Sequence, residues 1–413
     1  MKNFLVHSDE VKKEMLESIG VSSIEDLFKQ IPQKARMGEL QLEDAISEME
    51  TKKRVKTLSK KNNTDFVSFL GAGTYNKFIP ACISQVANRF EFLTAYTPYQ
   101  PEISQGTLQV MYEFQTMICR LTGMDISNAT MYDGASACAE AILMAVRISK
   151  KNKVLVSDKL NPEYIDVIKT YCWSNDIELV MFDEIPSDTA DFACVLVQTP
   201  DFYGEIKEYS SVDCLKVVCV DIASLGILEP PKDADIVVGD IQPLGIPMNF
   251  GGPHAGFIAC REKFMRQIPG RLAGRTVDAD GKPAYCLTIQ TREQHIKREK
   301  ATSNICSNQA LMGLCATLYL TVMGEKGFRQ AGYLSAKRAH ELSEKLAQKG
   351  IKTLNKNFFN EFVIEVENAD KFLANLKAKG IIGGLKLSDN KILVCTTEMN
   401  SKEDIDLYIK KTV

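Results

Sequence analysis

The residues with the clearest chemical pattern end two predicted strands in the middle of the chain. An apolar run over residues 217–220 ends in Asp221, and a second run over residues 235–240 leads into a turn that begins Gln242-Pro243. Ligands of open parallel sheets bind at the carboxyl ends of the strands. The carboxylate of Asp221 therefore stands where it could pair with the ring nitrogen of a bound cofactor.

This order of elements resembles the pyridoxal-phosphate (PLP) enzymes of the aspartate-aminotransferase fold, in which an aspartate ends one strand and a lysine follows the next. The lysine amine holds that cofactor as a Schiff base and moves protons during catalysis. Residues 233–260 contain no lysine, and Pro243 stands near the position that the lysine would take. The sequence therefore predicts a site of this type without its covalent anchor.

A second candidate site lies where a run of small residues opens a helix. In residues 131–150, Gly134, Ala135 and Ser136 would allow close approach to the backbone N–H groups of the first turn. Helix N-termini bind anions because those N–H groups have no partner inside the helix. The same small residues would also suit tight packing of the helix, and the sequence leaves both interpretations open.

A loop rich in hydroxyl and amide groups precedes another predicted helix. Pro98 and Pro101 interrupt regular structure, and apolar residues at three- and four-residue spacing start a helix near Ser104. The polar side chains of the loop are Tyr96, Thr97, Tyr99, Gln100 and Glu102. Packing or capping explains any one of them, but their density makes the loop a candidate for binding.

Three further patterns have a plainer explanation. The glycines at 71 and 73 lack the third glycine and the preceding strand of a dinucleotide-binding turn. The basic runs at 52–61 and 292–300 could hold an anion, yet such runs are more often solvated or ion-paired surfaces. His254 lies in a glycine-rich turn that is typical of a packed loop, so it is not assigned to the site.

The rest of the chain supplies the elements that would position these residues. Near-continuous apolar runs alternate with helical segments over residues 153–261, which is typical of a mostly parallel sheet covered on both faces. We therefore predict an α/β fold in three parts. They are an N-terminal helical arm (residues 1–62), a large α/β domain (63–324) and a small C-terminal α+β domain (325–413).

Composition excludes several classes of protein. The 413 residues are 45% hydrophobic and 25% charged, and the net charge of −3 gives no electrostatic reason to bind nucleic acid or a membrane surface. No apolar run is long enough to span a membrane, and the charged N-terminus is unlike a signal peptide. The twelve cysteines lack CxxC spacing and only four histidines are present, so we predict free thiols in a reducing cytoplasm and no metal site.

Four longer motifs carry a specific resemblance. They are FLGAGTYN (69–76), TAYTPYQPEISQG (94–106), NFGGPHAG (249–256) and REQHIKREKATSNIC (292–306). Together with IGVSSIEDLF (19–28) they resemble the P-protein of the glycine cleavage system, a glycine decarboxylase, over nearly the whole chain. That family occurs as one long chain with two homologous halves or as two subunits, and this chain is similar to the N-terminal half, or subunit 1.

The resemblance implies PLP-dependent transferase fold type I and a division of labour between subunits. In the family, subunit 2 carries the PLP lysine, which agrees with the absence of a lysine near Pro243. We then expect no cofactor in this chain, with Asp221 and Ser136 either remnants of an ancestral site or purely structural. The family also suggests a heterotetramer with two copies of each subunit, in the bacterial or archaeal cytosol.

The resemblance further implies the reaction. With the PLP-bearing subunit, glycine would lose its carboxylate as carbon dioxide, and its aminomethyl group would pass to the lipoyl arm of the H-protein. Active sites of this fold lie at subunit interfaces, so we expect this chain to lend side chains to its partner. The expected residues are Tyr75, Asn76, Tyr96 and Tyr99, whose hydroxyl and amide groups could bind the substrate carboxylate.

Other functions are compatible with parts of the sequence. A self-sufficient PLP enzyme, similar to an aminotransferase, would need a lysine from outside residues 233–260. A purely structural subunit would share the fold but place no residue against substrate. A nicotinamide-dependent dehydrogenase is disfavoured, because the loop at Gly71 lacks the dinucleotide-binding fingerprint.

Overall fold

The computed structural model describes residues 7–38, 40–209, 211–249 and 251–412. Residues 1–6 of the predicted arm, the last residue of the predicted small domain and Phe250 of the NFGGPHAG motif lie outside the described residues. The chain divides into two compact units, Met1–Thr64 and Asp65–Val413.

The N-terminal unit contains two helices, α1 (Asp9–Ile19) and α2 (Glu48–Ser59). The Ser8 hydroxyl caps the start of α1, and Gly20 ends it in the left-handed conformation (φ 82°) that residues with side chains rarely adopt. None of the described residues of this unit is buried. The unit therefore lacks a hydrophobic core among its described residues.

The second unit carries the remaining helices and the strands of the described chain. The helices are α3 (Ala81–Ala87), α4 (Phe90–Leu93), α5 (Gln105–Thr122), α6 (Gly134–Ser149), α7 (Pro162–Ser174), α8 (Gln294–Lys297), α9 (Ala310–Gln348), α10 (Ala369–Ala378) and α11 (Lys402–Thr412). The strands are β1 (Val67–Ser68), β2 (Ile126–Ser127), β3 (Lys153–Ser157), β4 (Glu178–Phe182), β5 (Cys194–Thr199), β6 (Leu215–Asp221), β7 (Ile236–Asp240), β8 (Gly256–Cys260), β9 (Leu272–Val277), β10 (Pro283–Thr288), β11 (Lys352–Thr353), β12 (Glu361–Glu365), β13 (Ile381–Ile382), β14 (Leu385–Lys386) and β15 (Lys391–Cys395).

A seven-stranded sheet in the order β2-β8-β7-β6-β5-β3-β4 forms the centre of what we call the large lobe. Strands β3 to β7 are parallel to one another, and β8 is antiparallel to β7. Apolar side chains alternate between two cores: Cys219 and Val238 pack under α6 and α7, whereas Val218 and Val237 pack under α5 and α9. The mostly parallel sheet, covered on both faces, confirms the predicted α/β class.

A four-stranded antiparallel sheet, β11-β12-β15-β14, forms a second, small lobe with α10, α11 and the end of α9. The chain enters the second unit through this lobe, because β1 pairs with β13 and Phe69 is buried in the small-lobe core. The loop that follows, residues 71–78, therefore begins at the small lobe and crosses to the large one. This crossing brings residues from both lobes to the carboxyl ends of β6 and β7.

Helix α9 joins the lobes. Its first part packs in the large-lobe core through Tyr319, and its last turns pack in the small-lobe core through Leu342. Gly324 interrupts the helical backbone with φ 59° and ψ −178°. None of the helices in the described part of the chain is both long and apolar enough to cross a membrane.

Candidate active site

The predicted strand-end carboxylate has a second carboxylate beside it. Asp221 at the end of β6 is the register partner of Asp240 at the end of β7. Both line a cavity of about 40 Å³. Its other polar walls include Tyr75, Asn161, Tyr164 and Glu361. A cavity of this size admits a few water molecules, whereas ligand pockets measure about 300–1,000 Å³.

Glu361 closes this cavity from the small lobe. Its carboxylate is buried at the start of β12 and accepts hydrogen bonds from the Ala72 N–H at 2.6 Å and the Tyr75 hydroxyl at 2.7 Å. Burial raises the pKa of Glu361 to about 7, although these two hydrogen bonds favour the charged form. Asp221 raises the pKa further, because two carboxylates that face one cavity repel each other.

Gln242, two residues after the end of β7, connects the large lobe to the 71–78 loop. Its Oε1 accepts the Tyr75 N–H at 2.9 Å, and its Nε2 donates to the carbonyls of Tyr75 and Ile246, each at 2.9 Å. The side chain is buried and fully occupied in holding the 71–78 loop against the large lobe. Pro243 follows it and lines the cavity, so neither residue offers an amine.

A buried ion pair fixes the next residue of the same loop. The Lys77 ammonium lies 2.5 Å from a Glu398 carboxylate oxygen and donates to the Ser335 hydroxyl at 3.1 Å. Glu398 also accepts the Phe78 N–H at 2.8 Å. Burial raises the pKa of Asp221, and the positive charge of Lys77 opposes that shift. The 71–78 loop is thus held by the Glu398 carboxylate of the small lobe and by the Gln242 amide of the large lobe.

The predicted anion site at the start of α6 is occupied by carboxylates of the chain. Asp133 accepts the Ser136 N–H at 2.7 Å, and Asp240 accepts the Gly134 N–H at 3.1 Å. His254 Nδ1 lies 3.2 Å from the same Asp240 carboxylate, and this hydrogen bond raises the pKa of His254. Two N–H groups of the first turn, those of Gly134 and Ser136, therefore already have anionic partners.

Gly134 also explains why small residues open α6. A Cβ at this position would lie 2.3 Å from the Tyr164 hydroxyl oxygen, which is far inside contact distance. Both interpretations of the small-residue run therefore apply. The start of α6 is tightly packed, and its N–H groups bind anions, namely the carboxylates of Asp133 and Asp240.

The four residues predicted to line a partner's site lie in different surroundings. Tyr75 is buried and donates to Glu361, whereas the side chain of its neighbour Asn76 is exposed. Tyr96 is 85% exposed and Tyr99 is 47% exposed, both in the loop before α5. Two of the four side chains are thus presented as an exposed pair on one loop, and a third, Asn76, is exposed elsewhere.

Tyr99 is supported from within the chain. The Arg271 guanidinium lies 5.6 Å from the centre of its ring and 3.5 Å from its hydroxyl, and the His295 ring packs edge-on at 5.8 Å. Arg271 is buried and donates to the Cys306 carbonyl at 2.9 Å. The residues of the REQHIKREKATSNIC motif therefore lie next to the loop that carries Tyr99.

The cations of that motif differ in their exposure to solvent. Arg292 is buried and donates to the carbonyls of Ile268 and Gly270. Lys297, Arg298 and Lys300 are exposed. Arg292 therefore anchors the segment, and only the cations after it face solvent.

The fold and the site together define a class. The chain has the architecture of the PLP-dependent transferases of fold type I, with strand-end aspartates where the two lobes meet. No lysine lines the cavity at these strand ends, and Asp240 in its wall accepts a hydrogen bond from the start of α6.

Comparison with known proteins identifies the family. The family model described as "Glycine cleavage system P-protein" matches residues 2–411. The probable glycine dehydrogenase (decarboxylating) subunit 1 of Geobacillus thermodenitrificans is 44% identical over 100% of this chain and 98% of that protein, and the one of Bacillus cytotoxicus is 44% identical over 100% and 99%. The chain belongs to the glycine cleavage system P-protein family, as its motifs predicted.

Solved structures agree. A crystal structure of the glycine decarboxylase (P-protein) of the glycine cleavage system, in inhibitor-bound form, superposes with a TM-score of 0.91 at 37% identity, covering 100% of this chain and 99% of that one. The alanine–glyoxylate aminotransferase of Nostoc sp. superposes with a TM-score of 0.57 at 14% identity, over 93% of this chain and 98% of that one. The second similarity shows the fold alone and confirms the predicted fold type I.

The residues that sequence reasoning missed are Glu361, Gln242 and the Lys77–Glu398 pair. Glu361 and Tyr75 are 286 positions apart, and no local pattern links them. One signal was available: Glu361 and Glu398 are carboxylates that flank apolar strands of the small lobe, where an unpaired charge would be costly.

Replacing Glu361 with glutamine should change how stability depends on pH. The folded-state pKa of about 7 exceeds the ordinary 4.5, so the folded state retains a proton that the unfolded state loses. The wild-type free energy of unfolding should therefore fall relative to Glu361→Gln as pH rises from 4.5 to 7, by roughly 3 kcal/mol. Urea unfolding across this range measures the difference. The exposed Glu365→Gln variant is the control, and identical pH profiles for wild type and Glu361→Gln would contradict the assignment.

Breaking the buried ion pair from one side should be costly. Lys77→Met leaves the Glu398 carboxylate buried without its counter-ion, which should lower the free energy of unfolding by about 3–5 kcal/mol. The neutral double variant Lys77→Met/Glu398→Gln should recover most of that loss, because no charge stays buried. Urea midpoints of the three proteins test this. Equal losses in the single and double variants would show that packing, and not charge, dominates here.

Proposed function

We propose that this chain is the subunit of a glycine decarboxylase that does not bind PLP, and that it completes the active site of a PLP-bearing partner subunit. The family assignment supports the activity. The observation that supports the division of labour is the cavity at the strand ends: it measures about 40 Å³, no lysine lines it, and Asp240 and Glu361 in its wall are bonded to other groups of the chain.

PLP does not fit this chain. The cofactor needs donors for its phosphate, a carboxylate for its ring nitrogen and a lysine amine. Only the carboxylate, Asp221, is present. The α6 N-terminus is already bound to Asp133 and Asp240, whose charges would repel a phosphate, and the cavity measures about 40 Å³. The cofactor of the proposed enzyme therefore belongs to the partner.

The proposed reaction balances without a further reactant. In glycine, the bond between the α-carbon and the carboxylate breaks and carbon dioxide leaves. The electron pair stays with the aminomethyl carbon, which bonds to one sulfur of the lipoyl disulfide carried by the H-protein. The S–S bond breaks, the second sulfur becomes a thiol with a proton from the ammonium group, and the disulfide is reduced as the carbon is oxidised. PLP on the partner supplies the electron sink.

This chain's contribution is the loop before α5. Tyr96 (85% exposed) and Ile103 (81%) in this segment, and Phe90 (79%) in the preceding helix α4, are large exposed side chains, which is typical of a segment buried in a complex. We assign Tyr96 and Tyr99 of this surface, with Asn76, to the partner's pocket. Their hydroxyl and amide groups would hydrogen-bond the glycine carboxylate, while the apolar surroundings favour loss of that charge. Tyr75 supports them by holding the 71–78 loop through Glu361.

The location of the cofactor can be tested directly. The purified chain, incubated with PLP and reduced with borohydride, should give no stoichiometric pyridoxyl-lysine peptide by mass spectrometry. The same treatment after addition of the partner subunit should label one lysine of the partner. A single stoichiometric adduct on this chain alone would mean a self-sufficient PLP enzyme and would overturn the proposal.

The role of the two exposed tyrosines can be separated from assembly. Tyr96→Phe and Tyr99→Phe each remove one hydroxyl, and a lost hydrogen bond to a carboxylate should slow glycine decarboxylation by the reconstituted complex about tenfold or more. Tyr333→Phe, on the exposed face of α9, is the matched control and should leave the rate unchanged. Sedimentation establishes that each complex assembles. Full activity of both loop variants would support a purely structural subunit instead.

A further inference from the structure

The exposed part of the REQHIKREKATSNIC motif forms a compact positive surface. Residues 294–300, which we call the cationic segment, comprise α8 and the turn Arg298–Lys300. It carries His295, Lys297, Arg298 and Lys300, and every residue of it is exposed. Its acidic residue is Glu299, so positive charge predominates.

The charges of this segment are uncompensated within the described chain. No carboxylate in the described ranges lies within 4.0 Å of the side-chain nitrogens of Lys297, Arg298 or Lys300. The neighbouring Glu293 is turned inward, with its side chain 8% exposed, and lies 3.6 Å from His295. Three cations therefore face solvent together without an internal counter-ion.

The segment is held in place at both ends. Before it, Arg292 is buried and bound to two backbone carbonyls, and its own carbonyl accepts the Thr302 N–H at 3.0 Å. Inside it, Arg298 adopts a positive φ of 53°, which costs a residue with a side chain about 1 kcal/mol or more. The hydrogen bonds of Arg292 therefore hold the backbone on both sides of the cationic segment.

The position of the segment links it to the site. The His295 ring packs against the Tyr99 ring at 5.8 Å, so the cationic segment borders the loop assigned to substrate binding. The two surfaces differ in character. Helix α4 and the loop that follows it expose Phe90, Tyr96 and Ile103, whereas the cationic segment exposes cations.

We infer that the cationic segment is the docking surface for an acidic face of the carrier protein that delivers the lipoyl arm. This inference rests on the proposed function. A permanent subunit contact is largely apolar, like the loop surface. A carrier must arrive, accept one aminomethyl group and leave in every turnover. Complementary charge suits that exchange, because it speeds encounter without requiring a tight complex.

Charge reversal of the segment tests the inference. In the complex reconstituted with the partner subunit, Lys297→Glu/Arg298→Glu/Lys300→Glu should raise the KM for the lipoylated carrier protein about tenfold. The KM for glycine should stay unchanged, and so should the rate with free lipoamide as acceptor. The matched control, Lys349→Glu/Lys371→Glu/Lys377→Glu, makes the same change of charge at exposed lysines of the small lobe and should leave the KM for the carrier unchanged.

Ionic strength gives a second test that needs no reversal of charge. The wild-type KM for the carrier should rise steeply towards about 0.5 M salt, where charges are screened within a few ångströms, while the KM for lipoamide should not. The neutralising variant Lys297→Gln/Lys300→Gln should show a weaker salt dependence than wild type.

The outcomes separate the two hypotheses. The docking inference would be overturned if the KM for the carrier were equal in the segment variant and the small-lobe control. It would also be overturned if the segment variant failed to assemble with the partner subunit, because the segment would then belong to the subunit interface. Either result leaves the proposed decarboxylase intact. A wild-type complex that releases no carbon dioxide from glycine with free lipoamide would instead overturn the proposed function.

Discussion

The buried carboxylate of Glu361 is the contact on which the geometry of the candidate site depends. It reaches from a small-lobe strand to the Ala72 N–H and the Tyr75 hydroxyl, and so fixes the loop that crosses between the lobes. Gln242 holds the same loop from the large lobe at Tyr75, and the Lys77–Glu398 ion pair holds it two residues further along the chain. Because a carboxylate without partners is costly in this environment, Glu361 and the loop can hold their positions only together.

The same principle applies at the start of α6 and at the end of β7. Asp133 accepts the Ser136 N–H, Asp240 accepts the Gly134 N–H, and both ends of the Gln242 amide are bonded to backbone groups. These polar groups are therefore paired within the chain, as buried polar groups usually are. The surfaces that we propose for chemistry are external, on the loop that carries Tyr96 and Tyr99.

Much of this was predictable from sequence. The apolar runs before Asp221 and Asp240 predicted two strands of a mostly parallel sheet, and β6 and β7 are parallel neighbours. The family and the fold type, predicted from four motifs, are confirmed. Glu361 was not predictable, because its partners lie nearly three hundred positions away and burial of a carboxylate leaves no local pattern. Arg292 was not predictable for a different reason. A basic run in the sequence indicates positive charge, but it does not show which of its side chains is buried.

Helix α9 has a mechanical consequence. It is rooted in the large lobe, continues into the small lobe and is interrupted at Gly324. The 24 residues beyond that glycine span about 36 Å at 1.5 Å per residue. A rotation of one degree about the interruption would therefore carry the far end of the helix through about 0.6 Å, given that length. Phe328 and Gly332, which follow the interruption, still pack against the large lobe, so the position of the strand that bears Glu361 depends on how far those contacts restrict this rotation.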